Sequence, residues 1–207
     1  MKNLPYLLIL SFLFSLNHAQ AQDESSSKVR VLAYGGIGFG NVKNDNQPNY
    51  NLNNNTGEVL INYSWNDKLG LATGIGFNEL SGNGFNSMGD FYHERIVLRL
   101  PLLLTIKTDV TEDFRVFGNL GFYGQSIIKD EYRFLSNVQE DTYEGWNFGA
   151  QLGIGFTYKL NPGIYGGIHY QGQSDLSAFE TSSNAGISDE QKLENLNSIG
   201  LLFMFEF

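Results

Sequence analysis

Apolar residues recur at every second position along most of this chain. From Leu69 to Phe77 the odd positions hold Leu, Leu, Thr, Ile and Phe, whereas the even positions hold only Gly and Ala. The segment from Trp146 to Tyr158 repeats this pattern. Successive side chains of a β-strand point to opposite faces, whereas a helix repeats every 3.6 residues and would mix the two sets. The alternation therefore predicts strands with one apolar face and one face that is polar or nearly bare.

The same alternation predicts eight strands, most of them long enough for the roughly 9–11 residues of a tilted membrane-spanning strand. The predicted strands are residues 28–40, 56–66, 68–79, 92–107, 113–126, 144–160, 163–173 and 193–207. Tight turns are predicted at 66–67, 108–112 and 161–162. Longer polar loops are predicted at 41–55, 80–91, 127–143 and 174–192. Alternation of short turns with long loops is typical of up-and-down outer-membrane barrels.

Charged residues are absent from the apolar positions of the central spans of the predicted strands, 29–39, 59–65, 69–77, 96–106, 114–122, 146–158, 164–170 and 199–207. The opposite positions of the same spans include Arg30, Arg99, Arg115 and Glu206. An Arg or Lys that faces lipid near the bilayer midplane costs about 2–4 kcal/mol. Outward aromatic residues also collect at the strand ends, as in the aromatic girdles of membrane barrels. On the turn side they are Trp65, Phe114, Tyr158 and Phe207, and on the loop side Phe39, Phe77, Trp146 and Tyr170.

A soluble barrel or sandwich is the alternative, since alternation suits any half-buried sheet. It would expose the glycine-rich face to water, where glycine only lowers β-propensity. In a narrow lumen, by contrast, glycines leave space that the side chains of other strands can fill. We therefore expect an all-β fold, an eight-stranded antiparallel up-and-down transmembrane β-barrel.

The N-terminal segment has the three parts of a secretory signal. Lys2 precedes an apolar run from Leu7 to Leu16, and the small residues Ala19 and Ala21 form an A-x-A cleavage site. The run is about half the length of a membrane anchor, which needs about 20 apolar residues. We expect residues 1–21 to be a signal peptide and 22–207 to be a barrel domain in the bacterial outer membrane with periplasmic termini.

Several segments resemble one known family. RIVLRLPLLLTIK at 95–107, YQGQSDLS at 170–177, and the glycine-alternating FGNLGFYGQ at 117–125 and WNFGAQLGIGFTYKL at 146–160 are similar to strands of the Bacteroidetes outer-membrane β-barrel family, called porin-like or PorT-like. The resemblance covers the whole mature chain. It implies an eight-stranded integral barrel, mostly without an assigned activity, with some members in the type IX secretion apparatus.

The inward positions predict a polar network inside the lumen, because eight strands leave an interior that side chains just fill. Its expected members are Arg30, Glu58, Arg95, Arg99, Arg115, His169, Glu194 and Glu206. Closure of the sheet would pair Arg30 with Glu206, and Glu58 is the expected partner of Arg95. The C-terminal alternation Phe203, Phe205, Phe207 resembles a barrel-assembly signal and also fits a last lipid-facing strand.

The remaining features exclude several function classes. A net charge of −9 argues against nucleic acid as a partner, and the absence of cysteine excludes disulfides and thiolate metal sites. The string from Gly35 to Gly40 lacks the helix that a nucleotide-binding fingerprint opens, and His93 and His169 lack metal-ligand spacing. The sequence thus predicts no catalytic, cofactor or metal residues.

We expect a non-enzymatic barrel with a plugged lumen and polar extracellular loops, in an envelope-structural, surface-interaction or secretion-accessory role. The alternative is a small-solute porin or a lipid A-modifying barrel enzyme. The expected partners are outer-membrane lipid, lipopolysaccharide, the barrel-assembly machinery, and a secretion or surface partner. The acidic loops would either hold divalent cations that bridge to lipopolysaccharide or form a solvated surface.

Overall fold

The computed structural model of the protein describes residues 28–182 and 189–207, and these form β-strands and their connections. The strands are β1 (Val29–Asn44), β2 (Tyr50–Ser64), β3 (Leu69–Asn86), β4 (Gly89–Asp109), β5 (Phe114–Phe134), β6 (Val138–Glu140), β7 (Tyr143–Glu144), β8 (Trp146–Asn161), β9 (Ile164–Asp175), β10 (Phe179–Thr181) and β11 (Glu190–Glu206). No helix in this part of the chain has the length and apolarity to cross a membrane. The predicted signal peptide, residues 1–21, lies outside the described residues.

Eight long strands close into an antiparallel barrel in the order β1, β2, β3, β4, β5, β8, β9, β11. Strand β11 pairs back onto β1, from Arg30 opposite Glu206 to Asn44 opposite Gln191. This pairing leaves the barrel wall without a free edge, which is the condition for a sheet to cross a bilayer. The predicted eight-stranded antiparallel barrel is confirmed.

The two faces of the wall are oriented as the alternation predicts. On β8, Leu152, Ile154 and Phe156 are about half exposed on the outside, whereas Gln151 and Thr157 are buried in the lumen. The aromatic residues of both predicted girdles lie on the outside, for which Trp65 on the turn side and Trp146 on the loop side are examples. The apolar stripe therefore points away from the barrel axis, the reverse of a soluble sandwich.

Inward glycines leave room for large polar side chains in the narrow lumen. A Cβ on Gly153 would lie 2.5 Å from His169 Cε1, and one on Gly76 would lie 2.9 Å from Arg99 Nη2. The glycine-rich face thus has a packing role that a solvent-exposed face would not give it.

The strands extend much further on the loop side than the sequence predicts. The predicted loops 41–55, 80–91 and 127–143 are largely strand. The connection between β1 and β2 is reduced to 45–49, and that between β3 and β4 to 87–88. The asparagine-rich part of 41–55 suggested turns, but its residues pair on both sides, Asn53 with Phe39 and with Ser81. Pairing and packing on both flanks override the low β-propensity of asparagine.

Two apolar clusters fill the lumen on either side of a polar middle. The turn-side cluster includes Leu202 and Met204, which pack against Leu32, Leu103 and Phe117. The loop-side cluster contains Val42, Tyr50, Leu52, Leu80, Phe91, Val97, Tyr132, Tyr143, Phe179, Leu193 and Leu196. The buried polar residues between these clusters, beside the loop-side cluster and at the turn-side rim are the candidate functional site.

Candidate functional site in the barrel lumen

A charged cluster closes the turn-side rim of the lumen around Glu206. Its Oε1 accepts hydrogen bonds from Arg30 Nε at 2.7 Å and from Arg115 Nη1 at 2.8 Å, and Lys107 Nζ lies 3.5 Å away. The Arg115 guanidinium also lies over the Tyr165 ring, 3.9 Å from its centroid. The structure thus brings Arg30 and Glu206 together across the closing β1–β11 seam.

The central cluster joins four strands through the Glu58 carboxylate. Arg99 Nη2 donates to Glu58 Oε2 at 3.2 Å, and Arg99 Nη1 donates to Gln151 Oε1 at 2.6 Å. The amides of Gln151 and Gln171 lie 3.3–3.4 Å from the same carboxylate. Arg99 and Glu58 are both buried, so each charge depends on the other to offset its lost hydration.

The expected pairing of Glu58 with Arg95 is wrong. Arg95 lies opposite Leu80 on β3, and Leu80 lies opposite Asn54 on β2. Asn54 is four residues from Glu58, which is about 13 Å along a strand. Arg99 instead lies opposite Gly76, whose other neighbour is Glu58, and the missing side chain at Gly76 lets the two charges meet.

Arg95 belongs to a second buried cluster that the sequence did not predict. Arg95 Nε and His93 Nε2 both donate to Asp130 Oδ1 at 2.8 Å, and the Tyr50 hydroxyl donates to His93 Nδ1 at 2.9 Å. The His93 ring stacks on Tyr132 with 4.0 Å between centroids. Asp130 was missed because it lies in the predicted loop 127–143, where β5 instead continues to Phe134. A bulge opposite Ile96 and Val97 on β4 then turns Asp130 inward.

The charge state of this cluster follows from its burial. Burial lowers the pKa of His93 to about 4, so the ring is neutral near pH 7. Burial alone would raise the pKa of Asp130, but the Arg95 guanidinium and the hydrogen bond from His93 outweigh it and hold that pKa at about 2. Glu79 and Glu94 point outward from the wall next to Arg95 and its partner Leu80. Because charged side chains avoid the lipid-facing band, the cluster lies beyond that band on the loop side.

We expect the loop-side end of the barrel to lose stability in two steps on acidification. An unfolded His takes up a proton near pH 6.5 and folded His93 only near 4, so its contribution is lost across that interval. The contribution of Asp130 is lost below about 3.8, as pH falls toward 2. Hydrogen exchange of β4 and β5 amides between pH 7 and pH 2 measures both steps. In a His93→Gln variant the step between pH 6.5 and 4 should disappear, and its persistence there would contradict the assignment to His93.

Asp175 is a further buried carboxylate that sequence reasoning missed. The Tyr123 hydroxyl, Gln125 Nε2, Asn147 Nδ2 and the Leu193 backbone N–H each donate to it at 2.8 Å. It was missed because it lies in the predicted loop 174–192. Its partners Tyr123 and Gln125 occupy alternate positions on β5, which indicates an inward polar row.

Buried inward charges of opposite sign are equal in number within the described part of the lumen. The buried cations are Arg30, Arg95, Arg99 and Arg115, and the buried anions are Glu58, Asp130, Asp175 and Asp189. The partly exposed Lys107 and Glu206 add one charge of each sign at the turn-side rim. The lumen is therefore a neutral, hydrogen-bonded interior rather than a field of one sign.

Glu194 lies outside this network, contrary to the prediction. Asn195 has a positive φ of 52°, and the β1–β11 register shifts between Phe39 and Asn41. This bulge reverses the alternation on β11, so Leu193 is buried and Glu194 contacts Lys43 at 3.3 Å on the outside.

His169 lies in the lumen without an acidic partner among the described residues. Its Nε2 is 3.5 Å from Asn119 Nδ2, and its ring meets Tyr34 edge-on at 5.0 Å. No group of three potential metal ligands occurs among residues 28–182 and 189–207. The lumen side chains thus link strands to one another, and His93, whose two nitrogens are both engaged, is sealed beneath Tyr50 and Tyr132.

Comparison with known proteins agrees with this architecture. None of the curated proteins is significantly similar in sequence. Among solved structures, Neisserial surface protein A is 10% identical, with a TM-score of 0.50 over 89% of this chain and 100% of that one. The outer membrane protease OmpT from Escherichia coli is 11% identical, with a TM-score of 0.50 over 90% and 99%. At these identities the similarity shows the fold alone.

A sequence profile of the outer membrane protein beta-barrel domain matches residues 7–207, nearly the whole chain. The closed eight-stranded wall, its apolar outer face and its neutral polar lumen are what such a domain requires. The chain belongs to the outer membrane protein beta-barrel domain family, whose place is the bacterial outer membrane.

Proposed function

We propose that this protein is a non-conducting, non-enzymatic barrel that carries a rigid surface out of the outer membrane for contact with other molecules. The observation that carries the proposal is the continuous filling of the lumen. A neutral polar middle lies between two apolar clusters, and Arg95 and Arg99 have no exposed surface. An ion would have to separate these buried pairs to pass, which is expensive at each step.

The unequal lengths of the two ends support periplasmic termini. Both Val29 and Glu206 lie at the end of the barrel where every connection between long strands is short, 65–68, 110–113 and 162–163. The opposite end carries the longer connections 135–145 and 176–189 and strands that run on past the girdle. In outer-membrane barrels the short turns are periplasmic and the longer connections are extracellular. The extended loop-side strands would then project from the cell.

The projecting end supports a surface-interaction role. The hairpin and loop residues Phe85, Met88, Leu135 and Val138 are more than half exposed beyond the loop-side girdle. Apolar side chains grouped in water commonly mark interaction surfaces. The loop-side cluster beneath them packs the extended strands together, so the tip is held rigidly.

Two further partners fit the outer wall. Above the girdle, Lys129 and Arg133 pair with Glu94 and Glu131, and this charged row would meet lipopolysaccharide head groups. Phe203, Phe205 and Phe207 belong to the C-terminal segment, and Phe203 points outward on β11, as a signal read by the barrel-assembly machinery would.

We expect no stepwise conductance when the purified protein is incorporated into planar bilayers, because the lumen has no continuous water path. An open trimeric porin at the same protein-to-lipid ratio serves as the positive control. Reproducible ohmic steps would favour the small-solute porin alternative.

Lipid A from cells with and without the protein should have the same mass spectrum, and a changed acyl pattern would favour the lipid A-modifying enzyme.

A further inference from the structure

Two outward glycines have no packing role inside the protein. Gly35 on β1 and Gly57 on β2 lie directly opposite each other, in a β1–β2 register that runs unbroken from Val29 to Val42. No atom lies within 4 Å of a Cβ built on either residue, and neither has a positive φ. Glycine inside a strand weakens it and often marks a place where another molecule comes close.

The two glycines form the floor of a trough on the lipid-facing wall. Across the strands, Leu201, Gly35, Gly57 and Phe77 lie in one row. In the next row toward the turns, Phe203 and Ile75 again stand at the two sides, with Ala33 and Val59 between them. The concavity has a volume of about 730 Å³. Its floor is two strands wide, about 10 Å at a strand spacing of 4.8 Å.

A second concavity of about 650 Å³ lies on β1, β2 and β11 nearer the loop-side girdle, and the exposed Ile37, the next outward residue after Gly35 on β1, begins its lining. Its walls begin with Ile37 and Ile199 and end with uncharged polar groups. These groups are the side-chain amides of Asn53, Asn55 and Asn197 and the hydroxyl of Tyr170. The Tyr170 hydroxyl donates to Asn197 Oδ1 at 2.5 Å, and Asn55 lies 3.5 Å from the Glu79 carboxylate.

We propose that this trough binds one acyl chain of a lipid whose polar end carries an uncharged amide or hydroxyl group. The trough lies inside the band between the two girdles, so it is continuous with the lipid-facing surface. A hydrocarbon chain fits a narrow apolar trough better than the flat wall of a second barrel does. The amides of Asn53 and Asn55 are donors and acceptors for an amide or hydroxyl, and nearby Glu79 disfavours a phosphate.

The site goes beyond the proposed function. It uses the proposed orientation only to assign the lipid to the outer leaflet. A conducting lumen would overturn the proposed function and leave the trough unaffected, so the two ideas fail separately.

Photo-crosslinking in vesicles tests the site with the full-length mature barrel. The probe is an N-acyl sphingoid lipid that carries a diazirine on its acyl chain, diluted in phosphatidylcholine. The wild-type protein should crosslink mainly within Val29–Asn44 and Tyr50–Ser64. The double variant Gly35→Leu, Gly57→Leu fills the trough, and we expect about a tenfold loss of crosslinking there because several methylenes are excluded.

Gly124→Leu is the matched control. Gly124 also faces outward, on β5, and a Cβ there meets only Trp146 at 3.9 Å. This variant should keep the wild-type crosslinking pattern. All variants should remain heat-modifiable in detergent gels, since the space beside each glycine is open.

A second comparison tests the polar end. Asn55→Leu should reduce crosslinking of the N-acyl probe. Crosslinking of a 1,2-diacyl-3-O-methylglycerol probe should not change, because that lipid has neither an amide nor a free hydroxyl. Crosslinks spread evenly around the wall, or unchanged in the double glycine variant, would overturn the proposal. A wild-type dimer that the double variant converts to monomer would also overturn it, because the trough would then seat a second copy.

Discussion

Replacing Arg99 by Met should lower the free energy of unfolding of this barrel by about 3–5 kcal/mol, because Glu58 would keep a buried charge without its partner. The Arg99 side chain has no exposed surface and that of Glu58 only 3%. The amides of Gln151 and Gln171 also bond to the Glu58 carboxylate, but they carry no charge to offset it. Urea titration in detergent micelles, followed by the loss of heat-modifiable migration, measures the effect.

Two further variants make this prediction specific. Combining Arg99→Met with Glu58→Gln removes both charges and should recover part of the loss, so the two single effects should not add. Arg133→Gln breaks an exposed pair with Glu94 on the outer wall and should cost less than about 1 kcal/mol. Strict additivity of the two lumen substitutions would show that Arg99 and Glu58 do not depend on each other.

The faces of the wall could be predicted from the sequence because membrane and lumen make opposite demands on alternate positions. Along β8 every outward residue from Trp146 to Tyr158 suits lipid, and every inward one is small or polar. A soluble β-sheet would show the same alternation with its apolar face buried, so parity alone does not separate the two folds. Parity predicted most of the inward set, and the glycines on the opposite face together with the alternation of short turns and long loops favoured the membrane barrel.

The ends of the strands could not be predicted, because beyond the membrane the outer face is free to be polar. The alternation then survives only on the inward side, as in Tyr50 and Leu52 on β2, where asparagines occupy the outward positions. Apolar residues at inward positions, such as Tyr50 and Leu52 on β2, Leu80 on β3 and Phe91 on β4, were the signal from which longer strands could have been predicted.

The partners within the lumen depended on bulges and on register. One extra residue reverses the face of everything beyond it, as the positive φ of Asn195 does for Glu194. The choice of Arg99 rather than Arg95 as the partner of Glu58 rests on strand stagger, which follows from closure of the whole sheet and not from any local pattern. The members of a lumen network are thus more predictable than its pairs.

Replacing Gly153 by Leu should destabilise the barrel by about 3 kcal/mol, the upper end of the usual cost of overpacking, because the added side chain enters an already filled interior. A Cβ at this position would lie 2.5 Å from His169 Cε1 and 2.9 Å from Asn119 Oδ1. Relief of the overlap would require both the His169 ring and the Asn119 amide to move. The yield of heat-modifiable protein after refolding into detergent, together with urea titration of what folds, measures the loss.

The outward Gly124 makes this a test of orientation as well as of packing. Gly124→Leu adds the same side chain on the lipid face and should change stability by less than about 1 kcal/mol. Adding His169→Ala to Gly153→Leu frees space beside residue 153 and should restore part of the loss, since size exchange between neighbours is non-additive. If the two leucine variants were equally stable, the glycine face would not be packed inside the barrel, and the assignment of a filled, neutral lumen would be wrong. The comparison separates the two uses of glycine in this wall: inward glycines leave room for polar side chains in the lumen, and outward glycines leave an open surface toward the lipid.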